Sequence, residues 1–335
     1  MPGPDKTLPR DEAEAIVARV FETAGASEQS AASTARALVA AEIDGQKGHG
    51  FSRVASYAAQ LLSGKIAGTH LPTTEIRGAR IDIDAGCGLA FPAIDLALDA
   101  LPALARGNGV AMAAIRRSHH CGQLGAHVEK LAEAGCIALM VANTPKAMAP
   151  WGGNAALFGT NPIAFAAPRD GHPPLVIDLS LSKVARGKIM AAAKAGEAIP
   201  AGWALDADDN PTTDPAAALN STMVPAGDAK GAVLALVVEI LAATLTGANR
   251  SDEATSFFDA EGAPPGVGPM ILAFDTGRAP DFAARLEALI AAISSQKGTR
   301  LPGQRRLEGR RASRGGDCVI VPGHLMEEIE AMAGA

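Results

Sequence analysis

The chain has 335 residues, 48% of them hydrophobic, a formal net charge of −6 and four cysteines. That length and apolar content support a large buried core, in one large α/β domain or in two domains. Acidic and basic residues are interspersed, so there is no basic footprint for nucleic acid and no polybasic arm for a membrane, and a small molecule is the expected partner. Cys87, Cys121, Cys136 and Cys318 lie far apart with no CxxC pairing. That spacing argues against a zinc ribbon, a redox dithiol or a disulfide framework, and it points to a reducing cytoplasm.

The start, Met1-Pro2-Gly3-Pro4-Asp5-Lys6, is followed by further acids and lacks the apolar core of a secretory signal, so the mature protein is expected to begin here. Apolar residues recur at helical spacing from Asp11 to Ala24 and again from Ser27 to Glu42, with Ser27 placed as an N-cap. The second helix runs into Asp44-Gly45-Gln46-Lys47-Gly48-His49-Gly50, where glycines break it and are expected to leave His49 exposed in a loop. Helical spacing returns from Phe51 to Leu62 and puts Arg53 and Tyr57 on one face.

From Ile81 the pattern turns to alternating strands and helices. Ile81–Asp84 alternates, Pro92 to Arg106 is helical, and Val110 to Ile115 reads as a buried strand that ends at Arg117-Ser118-His119-His120-Cys121-Gly122-Gln123-Leu124-Gly125. A helix from Gln123 to Ala134 and a strand from Ile137 to Ala142 complete a strand–helix–strand unit, and open α/β sheets bind ligands at such strand ends. Ile163–Ala167 and Leu175–Leu179 are further strands, the second delivering Asp178 to a turn ahead of Lys183, Arg186 and Lys188. Asp206 to Pro211 reads as a surface loop.

Gly231 to Leu245 is the most apolar helix-like run. It is too short for a bilayer of roughly 30 Å and contains Glu239, so it reads as a buried helix in which Leu236→Asp should unfold the protein. Met270–Asp275 is a final strand, Ala283–Ser294 a helix, and Gln296 to Arg314 an arginine-rich tail.

Histidine alone has an ordinary pKa, about 6.5, that lets it exchange protons near neutrality, so paired imidazoles in a glycine-flanked turn mark a candidate active site. Hydride transfer to a 2-oxo or imino acid needs a proton donor, a cation for the substrate carboxylate and a dinucleotide held alongside. His49 and Arg53, one helical turn on, fit the first two roles; an ordinary surface histidine and a solvated arginine would look the same in sequence. For His119 and His120 a hydrogen-bonded structural pair and a metal site are the rivals, but no HxxxH pair or cluster at ligand spacing accompanies them. The turn at Gly122 would also offer backbone amides to a phosphate. GxGxxG is absent, so any nicotinamide cofactor needs another cradle, for which Lys230 and the Arg305–Arg306 pair supply charge. Cys121 beside His120 raises a thiol nucleophile, but adjacent side chains often point apart.

Several ordered motifs carry a resemblance over nearly the whole chain: Gly48-His49-Gly50-Phe51-Ser52-Arg53, Ser118-His119-His120-Cys121-Gly122, Pro150-Trp151-Gly152-Gly153, Gly159-Thr160-Asn161-Pro162-Ile163-Ala164-Phe165, Ala185-Arg186-Gly187-Lys188, Pro211-Thr212-Thr213-Asp214-Pro215 and Leu301-Pro302-Gly303. At these residues the sequence resembles the malate/L-lactate dehydrogenase type 2 family, which is unrelated in fold to classical lactate dehydrogenases. That family includes sulfolactate dehydrogenases and Δ1-piperideine/Δ1-pyrroline-2-carboxylate reductases. The resemblance implies that His49 is the proton donor, that Arg53 and Thr160 hold the substrate carboxylate, and that the protein is a homodimer. Three departures stand out. Relatives usually carry serine or threonine where this chain has Gly48, the imine-reducing branch has an acid where Lys188 stands, and glycine is usual at Asp228.

The expected architecture is therefore α/β (α+β), with a non-Rossmann NAD(P)-binding domain over residues 76–284. A mainly helical portion, for dimerisation and the substrate side, comes from residues 1–75 plus 285–335. Candidate catalytic residues are His49, His120 and Lys188; candidate substrate-binding residues are Arg53, Tyr57 and Thr160. The cofactor-binding set that the resemblance implies is His120, Cys121, Gly122, Gln123, Leu124, Asp178, Leu179, Ser180, Asp228, Lys230, Arg305 and Arg306, with no metal ligand. The cofactor is NADPH or NADH, slightly favouring NADPH because the arginines near position 305 could meet a 2′-phosphate. The expected function is NAD(P)H-dependent interconversion of a small 2-oxo acid and its 2-hydroxy acid, of the malate, lactate or sulfolactate kind. The alternatives are an NADPH-dependent reductase of cyclic imino acids, and a catalytically lapsed cofactor-binding protein that has lost its hydroxyl at position 48.

Overall fold

The computed structural model describes residues 4–334, so the expected start of the mature chain at Met1 and the outermost domain limits lie outside the described residues. Strand β1 (Lys6–Pro9) ends in a proline whose fixed φ of −53° leads into helix α1 (Arg10–Thr23). Helix α2 (Glu28–Ile43) starts at Ser27, whose hydroxyl accepts a hydrogen bond from the Ser30 amide at 3.3 Å, the cap expected from sequence. Two 3-10 turns, Lys47–His49 and Phe51–Arg53, then lead into α3 (Val54–Leu62).

The strand and helix runs follow: β2 (Thr73–Arg77), β3 (Arg80–Asp84), α4 (Ala90–Asn108), β4 (Val110–Arg116), α5 (Leu124–Glu133), β5 (Cys136–Ala142), β6 (Ile163–Ala167) and β7 (Leu175–Leu179). Next come α6 (Arg186–Ala195), the two-residue strands β8 (Ala204–Leu205) and β9 (Pro211–Thr212), α7 (Pro215–Leu219) and α8 (Ala229–Glu239). The chain closes with β10 (Pro269–Asp275), α9 (Phe282–Ser294), α10 (Gln304–Ala312), β11 (Cys318–Val321) and α11 (Gly323–Met332).

Seven strands form one sheet in the order β2-β3-β4-β10-β5-β6-β7, in which only β3 and β4 are parallel. The strand–helix–strand unit β4–α5–β5 is present as a connection. Its two strands are not neighbours, however, because β10 inserts between them and runs antiparallel to both. An apolar run states that a strand will be buried, but not which distant strand will pair with it.

Alternation along the strands builds two cores. Met140 and Ile271 face a cluster with Ile94, Leu101, Val128 and Leu131 of α4 and α5, whereas Val141 and Met270 face a second cluster with Ile189, Ala235 and Val238. The sheet is thus covered on both faces. A third core joins α1, α2 and α3 to Val319, Val321, Met326 and Ile329 near the other end, and β1 pairs antiparallel with β11.

The expected helix over Gly231–Leu245 exists as α8 and a π-helical turn, Ile240–Thr244, but it is not buried all round. Ala232, Ala235, Val238, Ala242 and Ala243 face the core, while Val233 is 59% and Leu236 45% exposed. The inward positions hold the small residues that close packing against the sheet demands, so the large ones are left outside. Leu236→Asp is therefore not expected to unfold the chain, which corrects the sequence-based expectation. The loop expected at Asp206–Pro211 is the exposed turn between β8 and β9, and part of the arginine-rich tail is α10.

Candidate active site

The turn after α2 is shaped by a close approach. A Cβ at Gly50 would fall on the buried Glu42 carboxylate, which accepts the Phe51 amide at 3.1 Å and pairs with Lys47 at 2.5 Å. Arg53 folds back and donates from Nε to the Gly48 carbonyl at 2.6 Å. His49 therefore sits half-buried in a braced 3-10 turn, rather than exposed in an open loop as its glycine neighbours suggest.

The C-terminal end of β4 supplies the other imidazoles. Arg117 adopts a φ of 50° and pairs with Asp84 at 2.7 Å, and the Ser118 amide donates to Val267 O, which turns His119 and His120 inward. His49 Nδ1 lies 3.2 Å from His120 Nε2, and the rings stack with centroids 5.1 Å apart. His120 Nδ1 lies 2.5 Å from Tyr57 Oη, while His119 Nε2 lies 2.9 Å from Gln60 Oε1. The sequence-predicted His49, His120 and Tyr57 thus form one hydrogen-bonded chain.

Burial dominates the electrostatics of this cluster. Burial first, then the charge of Arg53, lowers the His49 pKa to about 3 and holds His120 well below 6.5. His119 falls to about 3 through burial, then Lys65 and Arg53. Burial raises the Tyr57 phenol, opposed by Arg53. At neutral pH the imidazoles and the phenol are uncharged, so tautomer rather than charge distinguishes their states. Arg53 itself is buried, with the Phe258 ring 4.3 Å from its guanidinium carbon. Its Nη1 has no hydrogen-bond partner, and no carboxylate pairs with it among the described residues.

Beyond the histidines the chain turns at Gly122, φ 69°, into the N-terminus of α5. Burial pushes the Cys121 thiol up to about 12, which removes it as a thiolate nucleophile. Leu124 is buried. Asp178 accepts the Gly125 amide at 2.7 Å, and Gln123 donates to Asp44 at 3.0 Å. A cavity of about 220 Å³ opens here, lined by Gln123, Asp178, Arg300, Arg305 and Arg306 among others. Protein around Asp178 raises its pKa by desolvation, with the Gly125 amide and Arg306 opposing.

Arg300 and Arg305 are exposed to solvent, and neither guanidinium is hydrogen-bonded or ion-paired among the described residues. Arg306 is committed elsewhere: it is buried and pairs with Glu129 at 2.7 Å. Helix-start amides, free guanidiniums and a carboxylate able to accept ribose hydroxyls are a donor set that fits an anionic dinucleotide.

Leu179 is exposed and Ser180 Oγ lies 2.5 Å from Ser182 Oγ. Leu181 connects two motifs, its amide donating to Thr160 O and its carbonyl accepting from the Ala226 amide, just ahead of exposed Asp228 and Lys230. Thr160 takes its side-chain contact from Thr144 at 3.3 Å. Lys188 is exposed on α6, its amide donates to Ala185 O, and its ammonium makes no hydrogen bond or ion pair among the described residues.

Sequence reasoning missed Gln60, Phe257, Phe258 and Glu129, and named Asp44 only as the start of the glycine-broken loop. Phe257 packs on both His119 and His120. A signal was available for it, since aromatic residues make up 4% of the chain and Phe257–Phe258 is an adjacent pair. Among the described residues no group of three His, Cys, Asp or Glu side chains is arranged to hold a metal ion.

A sequence profile described as malate/L-lactate dehydrogenase matches residues 8–330. The chain is 51% identical over 323 residues to (2R)-3-sulfolactate dehydrogenase (NADP(+)) from Chromohalobacter salexigens, covering 96% of each. It is 39% identical to the Δ1-pyrroline-2-carboxylate/Δ1-piperideine-2-carboxylate reductase of Pseudomonas putida, covering 90% of each. The crystal structure of Δ1-piperideine-2-carboxylate reductase from Pseudomonas syringae superposes with a TM-score of 0.92 at 36% identity, over 98% of this chain and 99% of that one. The protein belongs to the malate/L-lactate dehydrogenase family and is an oxidoreductase with that family's fold.

Proposed function

We propose that the protein is an NADP-dependent dehydrogenase that interconverts a small 2-oxo acid and its 2-hydroxy acid, of the sulfolactate type. The observation that carries this reading is the buried Arg53 guanidinium, without a carboxylate partner among the described residues, beside the His49–His120 pair. A buried, uncompensated cation is costly unless a ligand supplies the counter-charge, and a substrate carboxylate does so. The similarity to a sulfolactate dehydrogenase adds support.

In this reading Arg53 and Thr160 hold the substrate carboxylate, and His49 holds a proton at Nε2 for the substrate oxygen. Phe257 and Phe258 keep water from the pocket. His120 to Leu124, Asp178 to Ser180, Lys230, Arg300 and Arg305 would hold the dinucleotide. The bound cofactor supplies the hydride. Two free guanidiniums favour NADPH over NADH, because a 2′-phosphate offers them a partner.

Cyclic imino acids such as Δ1-pyrroline-2-carboxylate carry the same carboxylate, and 39% identity to a reductase of that class supports them as a second reading. Loss of NADPH absorbance with sulfopyruvate, oxaloacetate and pyruvate, set against the cyclic imine, separates the two. If the three 2-oxo acids leave NADPH unchanged while the imine consumes it, the first reading fails. His49→Ala is expected to cut kcat by about a hundred-fold or more, and Arg53→Lys to raise KM chiefly.

We also propose a homodimer, supported by the exposed apolar face of α8 (Val233, Leu236, Val237) and Ile240, a patch suited to a second copy. No helix among the described residues is long and apolar enough to cross a membrane, and the four free cysteines support a cytoplasmic site. The division into residues 1–75 plus 285–335 and residues 76–284 is proposed from the separate core that joins the N-terminal helices to β11 and α11.

A further inference from the structure

We propose that Tyr57 and His120 form a proton relay behind His49, fixing which of its nitrogens carries the proton and resupplying that proton once it is given up. The inference rests on the reading of His49 as the donor, and reassigns Tyr57 from substrate binding to positioning. The order of contacts is Tyr57 Oη, His120 Nδ1, His120 Nε2, His49 Nδ1, with separations of 2.5 and 3.2 Å.

The direction of the chain follows from satisfying its donors. Tyr57 is fully buried, and His120 Nδ1 is its one hydrogen-bond partner among the described residues. Were His120 to donate from Nδ1, the phenolic proton would be left without an acceptor, a cost of about 1–3 kcal/mol. The phenol therefore donates, His120 carries its proton on Nε2 and gives that hydrogen bond to His49 Nδ1, and His49 carries its own proton on Nε2. A neutral imidazole can release that proton only if another reaches its second nitrogen, and the chain provides one.

The proton balance closes. Once the substrate carbonyl carbon has gained a hydride its oxygen is an alkoxide, and it takes the proton from His49 Nε2. His49 takes the His120 Nε2 proton on Nδ1, and His120 takes the phenolic proton on its own Nδ1. Three bonds to hydrogen break, three form, and one negative charge ends on Tyr57. An alkoxide is a stronger base than a phenolate, so transfer runs in this direction. After product leaves, solvent protonates His49 Nε2 and the chain resets in reverse. This arrangement needs neither a hydroxyl at position 48 nor an acid at position 188.

Tyr57 is the chain's single tyrosine, which makes the test clean. In the ligand-free protein, Tyr57→Phe keeps the ring and removes the proton, and 15N spectra are expected to show the His120 and His49 tautomers shifting. In single turnovers the same variant is expected to slow reduction about ten- to a hundred-fold, with KM changed less than about threefold. Biosynthetic 3-fluorotyrosine, nearly isosteric and more acidic, labels Tyr57 alone and should raise the single-turnover rate, which a purely structural role would not do. Unchanged 15N signals in Tyr57→Phe, or a single-turnover rate indifferent to both replacements, overturns the relay. If Tyr57→Phe does not fold, the fluorotyrosine protein decides alone. Turnover that survives His49→Ala instead sinks the donor assignment, a result distinct from failure of the resting tautomer signature.

Discussion

Asp228 shows how one side chain can disagree with its backbone. It sits before α8 at φ 56°, ψ −123°, a region that glycine adopts and other residues adopt only under strain. Asp228→Gly is expected to stabilise the protein by about 1–2 kcal/mol, read as a rise of a few degrees in Tm. The desolvated histidines carry a second residue-scale prediction. His49 and His119 are lowered to about 3 and His127 to about 4, in each case chiefly by burial. Between pH 6.5 and these values the unfolded chain binds more protons than the folded one, so stability rises with pH there. It is fully present above pH 6.5 and is lost as the pH falls towards 3 to 4. Urea unfolding at steps across that window should show the denaturation midpoint dropping; a flat profile from pH 7 to 4 would refute the neutral assignment.

At the scale of elements, α2, α5 and α10 are tied by charge. Arg310 pairs with Asp44 and Glu129 at 2.6 Å each, and Arg306 pairs with Glu129 at 2.7 Å. Desolvation works against this arrangement, yet the hydrogen bonds that Arg310 donates to Asp44 and Glu129 still raise its pKa. Glu129→Ala would leave the buried Arg306 with only the longer contact to Asp44 at 3.8 Å and is expected to cost about 3–5 kcal/mol in urea unfolding. A loss below about 1 kcal/mol would show the network to be dispensable. Glu239 plays a comparable part without a cation. It accepts from Asn161 at 2.9 Å and from the Ser251 amide and hydroxyl, and so braces the Thr160–Asn161 turn from α8. The sequence shows Glu239 only as a polar interruption in an apolar run, because its partners lie far away in the chain.

For the whole molecule, the exposed face of α8 makes oligomeric state a test of packing. Leu236→Asp is expected to leave the folded protein intact and, if this face joins two copies, to convert a dimer to a monomer in sedimentation. A variant that remains dimeric removes α8 from the interface.

Much of this fold could be read from local patterns. Ser27 as a cap, the limits of β6 and β7, and the imidazole turn at the end of β4 all depend on residues close in sequence, where periodicity and side-chain chemistry act directly. The gathering of His49, Arg53 and Tyr57 was legible for the same reason, since they occupy one turn and the helix that follows it. Tertiary structure alone decided that β10 would part β4 from β5, that small residues would turn the large ones of α8 outward, and that His120 would lie between His49 and Tyr57. Each of these depends on contacts between segments far apart in the chain, whose pairing is set by the packing of the entire core, and no local window of sequence contains that information.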